Sequence, residues 1–451
     1  MSELYSIFLE HPVVTTDSRE CPEGSIFFAL KGETFNGNQY AQAALDKGCA
    51  YAVIDEPQYA AEGDSRFFVV PDVLTALQQL ANEHRRALNT PIIGITGTNG
   101  KTTTKELIAT VLAKKYNVLY TQGNFNNHIG VPKTLLRLNK EHDIAVIEMG
   151  ANHPGEIKTL VNIVEPDYGL ITNVGKAHLE GFGSFEGVIR TKGELYDYMR
   201  AHKASPAQED SYRSTAGAYR SAAYRSEPSS RIVPVKNGTV FIDPDNPHLM
   251  GISEGLNLIP YVKGEVIACD PYLRFKWQGG EVSTHLIGAY NIKNMLAAAT
   301  VGLHFGVTQE QINEALEGYV PSNNRSQLTT TEHNHLIVDA YNANPTSMMA
   351  ALQNFCLIKT NEPKMAILGS MGELGEVSAA EHQKVVDFLR EQGMTDVWLI
   401  GREFGNTKCD YRKYSDADAV KEALTAEMPT GKLILIKGSH STRTYELPEL
   451  L

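Results

Sequence analysis

Basic charge is in short supply in this 451-residue chain: 41 Lys and Arg stand against 53 Asp and Glu, a formal net charge of −12. That balance excludes a non-specific grip on nucleic acid or an anionic membrane. Any anionic ligand must be held by local devices such as helix N-termini, Lys or Arg side chains, or a metal. Cysteine is scarce too. The five, Cys21, Cys49, Cys269, Cys356 and Cys409, are scattered and form no C-x-x-C. This argues against a disulfide framework or a zinc site and fits a reducing compartment. No apolar run approaches the ~18 residues of a membrane span. The opening MSELYSIFLEHPVVTTDSRE carries acids early and lacks a basic-then-apolar signal pattern. The expectation is a cytoplasmic protein with no membrane insertion and no nucleic-acid partner.

What is present is an α/β pattern. Residues 1–88 read as a small α/β unit, with β-rich runs SIFFAL (25–30) and AYAVID (50–55) and a helix YAQAALDKG (40–48) between them. TALQQLANEHRRAL (75–88) reads as a helix leading onward. Across 89–320 the pattern is apolar run, loop, helix, repeated. PIIGIT (91–96), NVLYT (117–121), DIAVIEM (143–149) and DYGLITNVG (167–175) read as strands. KTTTKELIATVLAKKY (101–116), VPKTLLRL (131–138) and PGEIKTLVNIV (154–164) read as the helices between them. Such alternation implies parallel βαβ units. YLRFKWQGGEVSTHLIG (272–288) predicts an antiparallel hairpin turning near Gly279-Gly280. A Ser-, Ala- and Arg-rich stretch at 203–235, with SYRS, AYRS and AYRS repeats, reads as a flexible surface insertion. A third α/β unit at 321–451 has parallel strands HLIVDA (335–340), KMAILGS (364–370), DVWLIG (396–401) and KLILIKG (432–438). The fold class is therefore α/β, three units in series around a central parallel sheet. The last unit is Rossmann-like but lacks a clear dinucleotide fingerprint.

The strongest local signal is GITGTNGKTTT (94–104), an apolar strand running into a glycine loop that opens a helix. There the backbone N–H groups of Gly97, Thr98, Asn99 and Gly100 can face phosphate oxygens, helped by the helix N-terminus. Lys101 suits the β/γ phosphates, the Thr102 hydroxyl suits Mg²⁺, and Thr103 continues the helix mouth. The loop is a variant of the strict P-loop, since Ile95 stands where the pattern asks for Gly. Glu148 ends a predicted strand and either offers a hard oxygen to Mg²⁺ or serves as a helix N-cap partner near Gly150. His178, in KAHLEGFGS (176–184), is either a ligand to a second ion or a loop histidine. Lys192 lies in a predicted helix, where a lysine is by default a solvated charge.

The ordered set GTNGKTTT, GNFNNHIGVP, IEMGANHPGEI, AHLEGFGS, TKGEL, GAYNIKNMLAAA, YNANPTSM, GSMGELG and LIKGSHSTR resembles the Mur ligases. Within that family it is most similar to the branch that adds a dipeptide: the D-N-P-R motif expected in the third unit of a tripeptide synthetase is not found, and YNANP and GSMGELG resemble the dipeptide-adding type. A folylpolyglutamate synthase would carry its phosphate loop nearer the N-terminus.

The resemblance implies an ATP- and Mg²⁺-dependent amide ligase of bacterial peptidoglycan synthesis, working through an acyl phosphate. Its substrates would be UDP-N-acetylmuramoyl-tripeptide and D-alanyl-D-alanine, and it would act as a monomer. The first unit would hold the UDP moiety, through Ser18 and Arg19 of TTDSR, the second ATP and metal, and the third the dipeptide. It further implies Glu148, His178 and a carbamylated Lys192 at the metals, and Asn291 and Asn294 near adenine. Arg325 falls on nucleotide phosphate, Asn126 and Asn127 on the substrate pocket, and Tyr341, Asn342 and Asn344 on the third-unit side. Three departures stand out: Ala289-Tyr290 replaces the family's frequent Arg-His pair, YVPSNNRSQ (319–327) replaces Pro-Gly-Arg, and the 203–235 repeat has no counterpart.

Overall fold

The computed structural model describes residues 1–203, 232, 237–321 and 325–451. The insertion expected at 203–235 lies outside these, apart from Lys203 and Ile232.

Four sheets organise the described residues. The first is all-parallel, β1 (Val14–Thr15), β2 (Ile26–Phe28), β3 (Tyr51–Ile54) and β4 (Phe67–Val69), in that spatial order. The central sheet comprises β5 (Ile92–Thr96), β6 (Val118–Tyr120), β7 (Ile144–Glu148), β8 (Tyr168–Ile171), β9 (Thr239–Ile242) and β10 (Asn257–Pro260). Its order is β10-β9-β8-β5-β7-β6, and every pairing is parallel. Strands β5, β7 and β8 are buried at every residue, as their near-continuous aliphatic sequences require of a sheet covered on both faces. One core, including Leu77, Leu135, Ile147 and Val161, fills one face, and another, including Ile95, Leu107, Val146 and Met295, fills the other. From β5 the chain runs outward to β6 and back to β7 on one side, then crosses to β8 on the other, so the sheet's switch point lies at the carboxyl end of β5, where an open α/β sheet binds ligands.

The expected hairpin is β12 (Tyr272–Trp277) and β13 (Gly280–Ile287), and it belongs to a three-stranded antiparallel sheet that begins with β11 (Gly264–Cys269). The last sheet has β14 (Gln327–Thr330), β15 (His335–Asp339), β16 (Lys364–Gly369), β17 (Val397–Ile400), β18 (Arg412–Tyr414) and β19 (Leu433–Lys437), ordered β14-β15-β19-β16-β17-β18. The four expected strands are parallel, as read from sequence. Two edge strands were not foreseen. Strand β14 pairs antiparallel, and β18 is a short, mostly exposed RKY with no apolar alternation to betray it.

The helix Val73–Leu88 fastens the first unit to the central one. Asp72 caps it, accepting from the Thr75 amide at 2.7 Å. At its far end the buried Arg85 donates to the Val164 and Glu165 carbonyls and, at 2.9 Å, to Asp167 Oδ2. Leu77, Leu80 and Ala81 of this helix share a core with Phe28 of the first sheet and Ile92 and Ile147 of the central one.

Candidate functional site

The phosphate loop follows β5 and opens the helix Lys101–Leu112. Gly97 has φ +139° and a Cβ there would sit 2.1 Å from Thr172 Oγ1. Gly100 has φ +77° and a Cβ there would meet Asn294 Oδ1 at 2.7 Å. Both glycines are thus required by backbone conformation and by close approach. The loop after β8 braces the cradle. The Thr98 amide donates to the Asn173 carbonyl at 2.9 Å, the Asn99 amide to Asn173 Oδ1 at 3.0 Å, and Thr172 Oγ1 to the Asn99 carbonyl at 2.6 Å. Lys101 Nζ folds over the loop and donates to the Gly97 and Thr98 carbonyls at 2.9 and 3.0 Å. Burial pushes its ammonium below the ordinary lysine value, with Glu148 opposing.

Glu148 is buried at the end of β7. Its Oε1 accepts from Thr102 Oγ1 at 3.2 Å and from Asn126 Nδ2 at 2.8 Å. Among the described residues it caps no helix, so the N-cap alternative is not the one seen. Its Oε2 is buried with no hydrogen-bond partner among the described residues. It lies 3.6 Å from the ammonium of Lys105, a fully buried lysine that the sequence reading missed.

Lys192 is not a solvated helical charge. It is 2% exposed, its Nζ donates to the Ala151 carbonyl at 3.1 Å, and it lies over the Phe182 ring. Burial first, and the positive Lys101 second, hold it well below the ordinary lysine range. The helical spacing that suggested exposure gives no sign of the helix Glu156–Val164 packed against it. His178 is in the left-handed region, and its Nδ1 contacts a carboxylate oxygen of Glu373 from the loop after β16. Burial lowers its pKa, and Glu373 opposes that.

A cavity of about 800 Å³ joins these parts. Of the residues expected at a site, it is lined by Thr98, Asn99, Gly100, Lys101, Thr102, Thr103, Asn126, Asn127, Glu148, His178, Asn291, Asn294, Arg325, Tyr341, Asn342 and Asn344. Gly97 and Lys192 lie behind this lining. Ser18 and Arg19 are not part of it; they sit in the turn after β1, where Arg19 pairs with Asp17 at 2.6 Å. Arg325 stacks over the Tyr341 ring, its guanidinium carbon 3.7 Å from the centroid.

Among the lining residues that sequence reading missed are Asp339 and Lys437, which pair at 2.6 Å. Each is the polar last residue of its strand, following the aliphatic runs 336–338 and 433–436, and that was the available signal. Asn291 and Asn294 bond to each other at 2.8 Å, and Asn294 also accepts from Thr104.

Among the described residues no three His, Cys, Asp or Glu side chains gather closely enough to hold a metal by themselves. The donors near the loop are hard oxygens, Glu148 Oε1 and Thr102 Oγ1. They suit Mg²⁺, which commonly takes one or two protein oxygens and completes its shell with phosphates and water.

Three family models match along the chain: "Mur ligase family, catalytic domain" at 12–85, "Mur ligase middle domain" at 95–302 and "Mur ligase, glutamate ligase domain" at 324–440. A UDP-N-acetylmuramoyl-tripeptide--D-alanyl-D-alanine ligase of Bacillus subtilis is 30% identical, over 96% of this chain and 92% of its own. This chain belongs to the Mur ligase family. The Escherichia coli ligase of the same name is 31% identical over 100% of this chain and 95% of its own. Among solved structures, MurF from Acinetobacter baumannii superposes with a TM-score of 0.78 at 28% identity, covering 97% of this chain and 92% of that one. A Thermotoga maritima MurF ligase in complex with ADP superposes at 0.79 with 24% identity and shares the three-unit Mur ligase fold. Among the described residues no helix is long and apolar enough to cross a membrane.

Proposed function

We propose that this Mur ligase joins D-alanyl-D-alanine to UDP-N-acetylmuramoyl-tripeptide in peptidoglycan precursor synthesis, converting ATP to ADP and phosphate. The observation that carries the reading is one cavity shared by the phosphate loop and by the third unit's Tyr341, Asn342 and Asn344. A nucleotide held at the first and an amine at the second would meet there.

In this reading the terminal carboxylate of the tripeptide attacks the γ-phosphorus of ATP. The bond to the β–γ bridging oxygen breaks, ADP departs and an acyl phosphate forms. The dipeptide amine then attacks the acyl carbon, the C–N bond forms, phosphate leaves, and the amine proton passes to phosphate or solvent. The loop amides, Lys101 and Arg325 bind the phosphates and spread the charge that develops, so most of the acceleration is positioning and electrostatics. Asn126 and Asn127 line the muramyl-peptide side. Ser18 and Arg19 belong to the uridine side, and Asn291 and Asn294 to the adenine side. Thr102 and Glu148, with His178 at a second position, would hold Mg²⁺, which would supply positive charge to offset that of the phosphates. Burial shifts Lys192 toward its neutral amine, the form that adds CO₂. A carbamate there would supply an oxygen donor in place of a cation.

The units correspond to 1–88, 89–320 and 321–451. The five cysteines are all free, which fits a reducing compartment, and with ATP as cosubstrate this supports the cytoplasm.

The test is phosphate release with UDP-N-acetylmuramoyl-tripeptide, with and without D-alanyl-D-alanine, and product mass. Release should need both substrates, and the product should be the pentapeptide. Release without the dipeptide, or none at all, would overturn the reading.

A further inference from the structure

Lys105 is a charge in the wrong place for a phosphate ligand. It stands one helical turn beyond Lys101 on the same face, yet it is fully buried and does not line the cavity. Its Nζ has no hydrogen-bond partner among the described residues. It lies instead between two carboxylates, 3.6 Å from Glu148 Oε2 and 3.8 Å from Glu106 Oε1. Glu106 is already engaged, its other oxygen accepting from Tyr319 at 2.6 Å. Glu148 is not: Oε2 has only the ammonium, while Oε1 faces Thr102 and Asn126.

We infer that Lys105 is the resident counter-cation of Glu148, a positioning residue that makes metal binding conditional on nucleotide. The inference rests on the reading of Glu148 as a metal ligand. A buried carboxylate needs a compensating charge. Lys105 supplies it from behind, which has two consequences. Oε2 is drawn inward, so Glu148 presents a single oxygen toward the cavity. One cation already offsets that carboxylate, so a divalent ion arriving alone meets a site largely neutralised and a positive charge a few ångströms beyond. Lys101, whose ammonium also feels Glu148, adds to this. Only when phosphate oxygens enter is there negative charge enough to hold the ion. The site therefore takes metal and nucleotide together, and the bare ion poorly.

The experiment measures Mn²⁺ binding to the full chain by the loss of the free-ion EPR signal, with and without AMP-PNP, for wild type, Lys105→Met, Lys105→Gln and Lys105→Met/Glu148→Gln. Wild type should bind Mn²⁺ tightly with the nucleotide and at least about tenfold more weakly without it. Lys105→Met should tighten nucleotide-free binding about tenfold, and the added Glu148→Gln should abolish that gain. A lysine that merely supports packing would leave this affinity unchanged or lower it, and either result overturns the inference. Lys105→Gln gives the same reading should the methionine variant fold poorly. Nucleotide-free binding by wild type as tight as in the ternary complex overturns it without any variant. No Mn²⁺ bound even with AMP-PNP would instead sink the metal assignment of the proposed function.

Discussion

Asn99 of the phosphate loop and Asn344 of the third unit face each other amide to amide, Asn344 Nδ2 donating to Asn99 Oδ1 at 2.7 Å and Asn99 Nδ2 returning toward Asn344 Oδ1 at 3.4 Å. The same Asn344 is the N-cap of the helix Pro345–Leu357, in a reciprocal capping box with Ser347. One side chain thus ends a helix and reaches across to the nucleotide cradle. The two jobs separate by mutation. Asn344→Ala removes cap and bridge and should destabilise the chain by about 1 kcal/mol. Asn99→Ala removes the bridge alone and should leave the melting temperature nearly unchanged. Both should lower kcat, because the third unit is no longer pinned to the loop. Melting curves beside steady-state ADP release check this; equal stability losses would refute the separation.

The loop glycines give a sharper test of the nucleotide site. Gly97→Ala places a methyl 2.1 Å from Thr172 Oγ1 at a φ of +139°, so the loop and its brace must both shift. ATP binding should fall by at least about tenfold, measured by calorimetry, while far-UV dichroism stays native. Lys101→Ala leaves the backbone alone and removes charge, so it should cost on the order of 10²–10³ in kcat with smaller loss of binding. If Lys101→Ala kept near wild-type turnover, the loop assignment would be wrong.

Much of this architecture could be read from residue patterns, and the exceptions share a cause. Strands β5, β7 and β8 announce themselves because burial on both faces demands aliphatic runs. The glycine loop was legible because its chemistry is local, from Gly97 to Thr102. Strands β14 and β18 were not, since edge strands carry little apolar signal of their own. Lys192 and Lys105 looked like ordinary helical lysines. What makes them unusual is the Ala151 carbonyl, Phe182 and Glu148, which are brought up by other segments and cannot be inferred from helical spacing. The His178–Glu373 contact spans two units and was invisible for the same reason.

Lys192 carries a prediction of its own. Burial favours its neutral amine, which is the form that captures CO₂. Lys192→Arg keeps a cation but cannot form the carbamate and would need to bury a larger group. Activity should drop at least about a hundredfold. Wild-type activity should also fall when the enzyme is held in CO₂-depleted buffer and return on adding bicarbonate. An activity indifferent to bicarbonate, with Lys192→Arg fully active, would remove Lys192 from the metal site.

His84, in the helix that fastens the first unit to the central one, should contribute to the pH dependence of stability, as should His142, His304 and His382, whose pKa values burial also lowers. Its Nε2 lies 2.8 Å from the Leu138 carbonyl and its Nδ1 lies 3.2 Å from the Tyr5 hydroxyl. A carbonyl only accepts, so the ring is assigned as the Nε2–H tautomer, with Nδ1 accepting from Tyr5. Burial lowers its pKa below the ordinary 6.5, against a weaker push upward from the Leu138 contact. Between the lowered folded value and 6.5 the unfolded chain binds the extra proton and the folded chain does not. Stability from this group is therefore complete above pH 6.5 and drains away as the pH falls through the folded value. His84→Gln, which does not titrate, should lose less stability than wild type between about pH 7 and pH 5. Urea unfolding midpoints across that range measure the difference, and parallel slopes for the two proteins would show that His84 is not the group responsible.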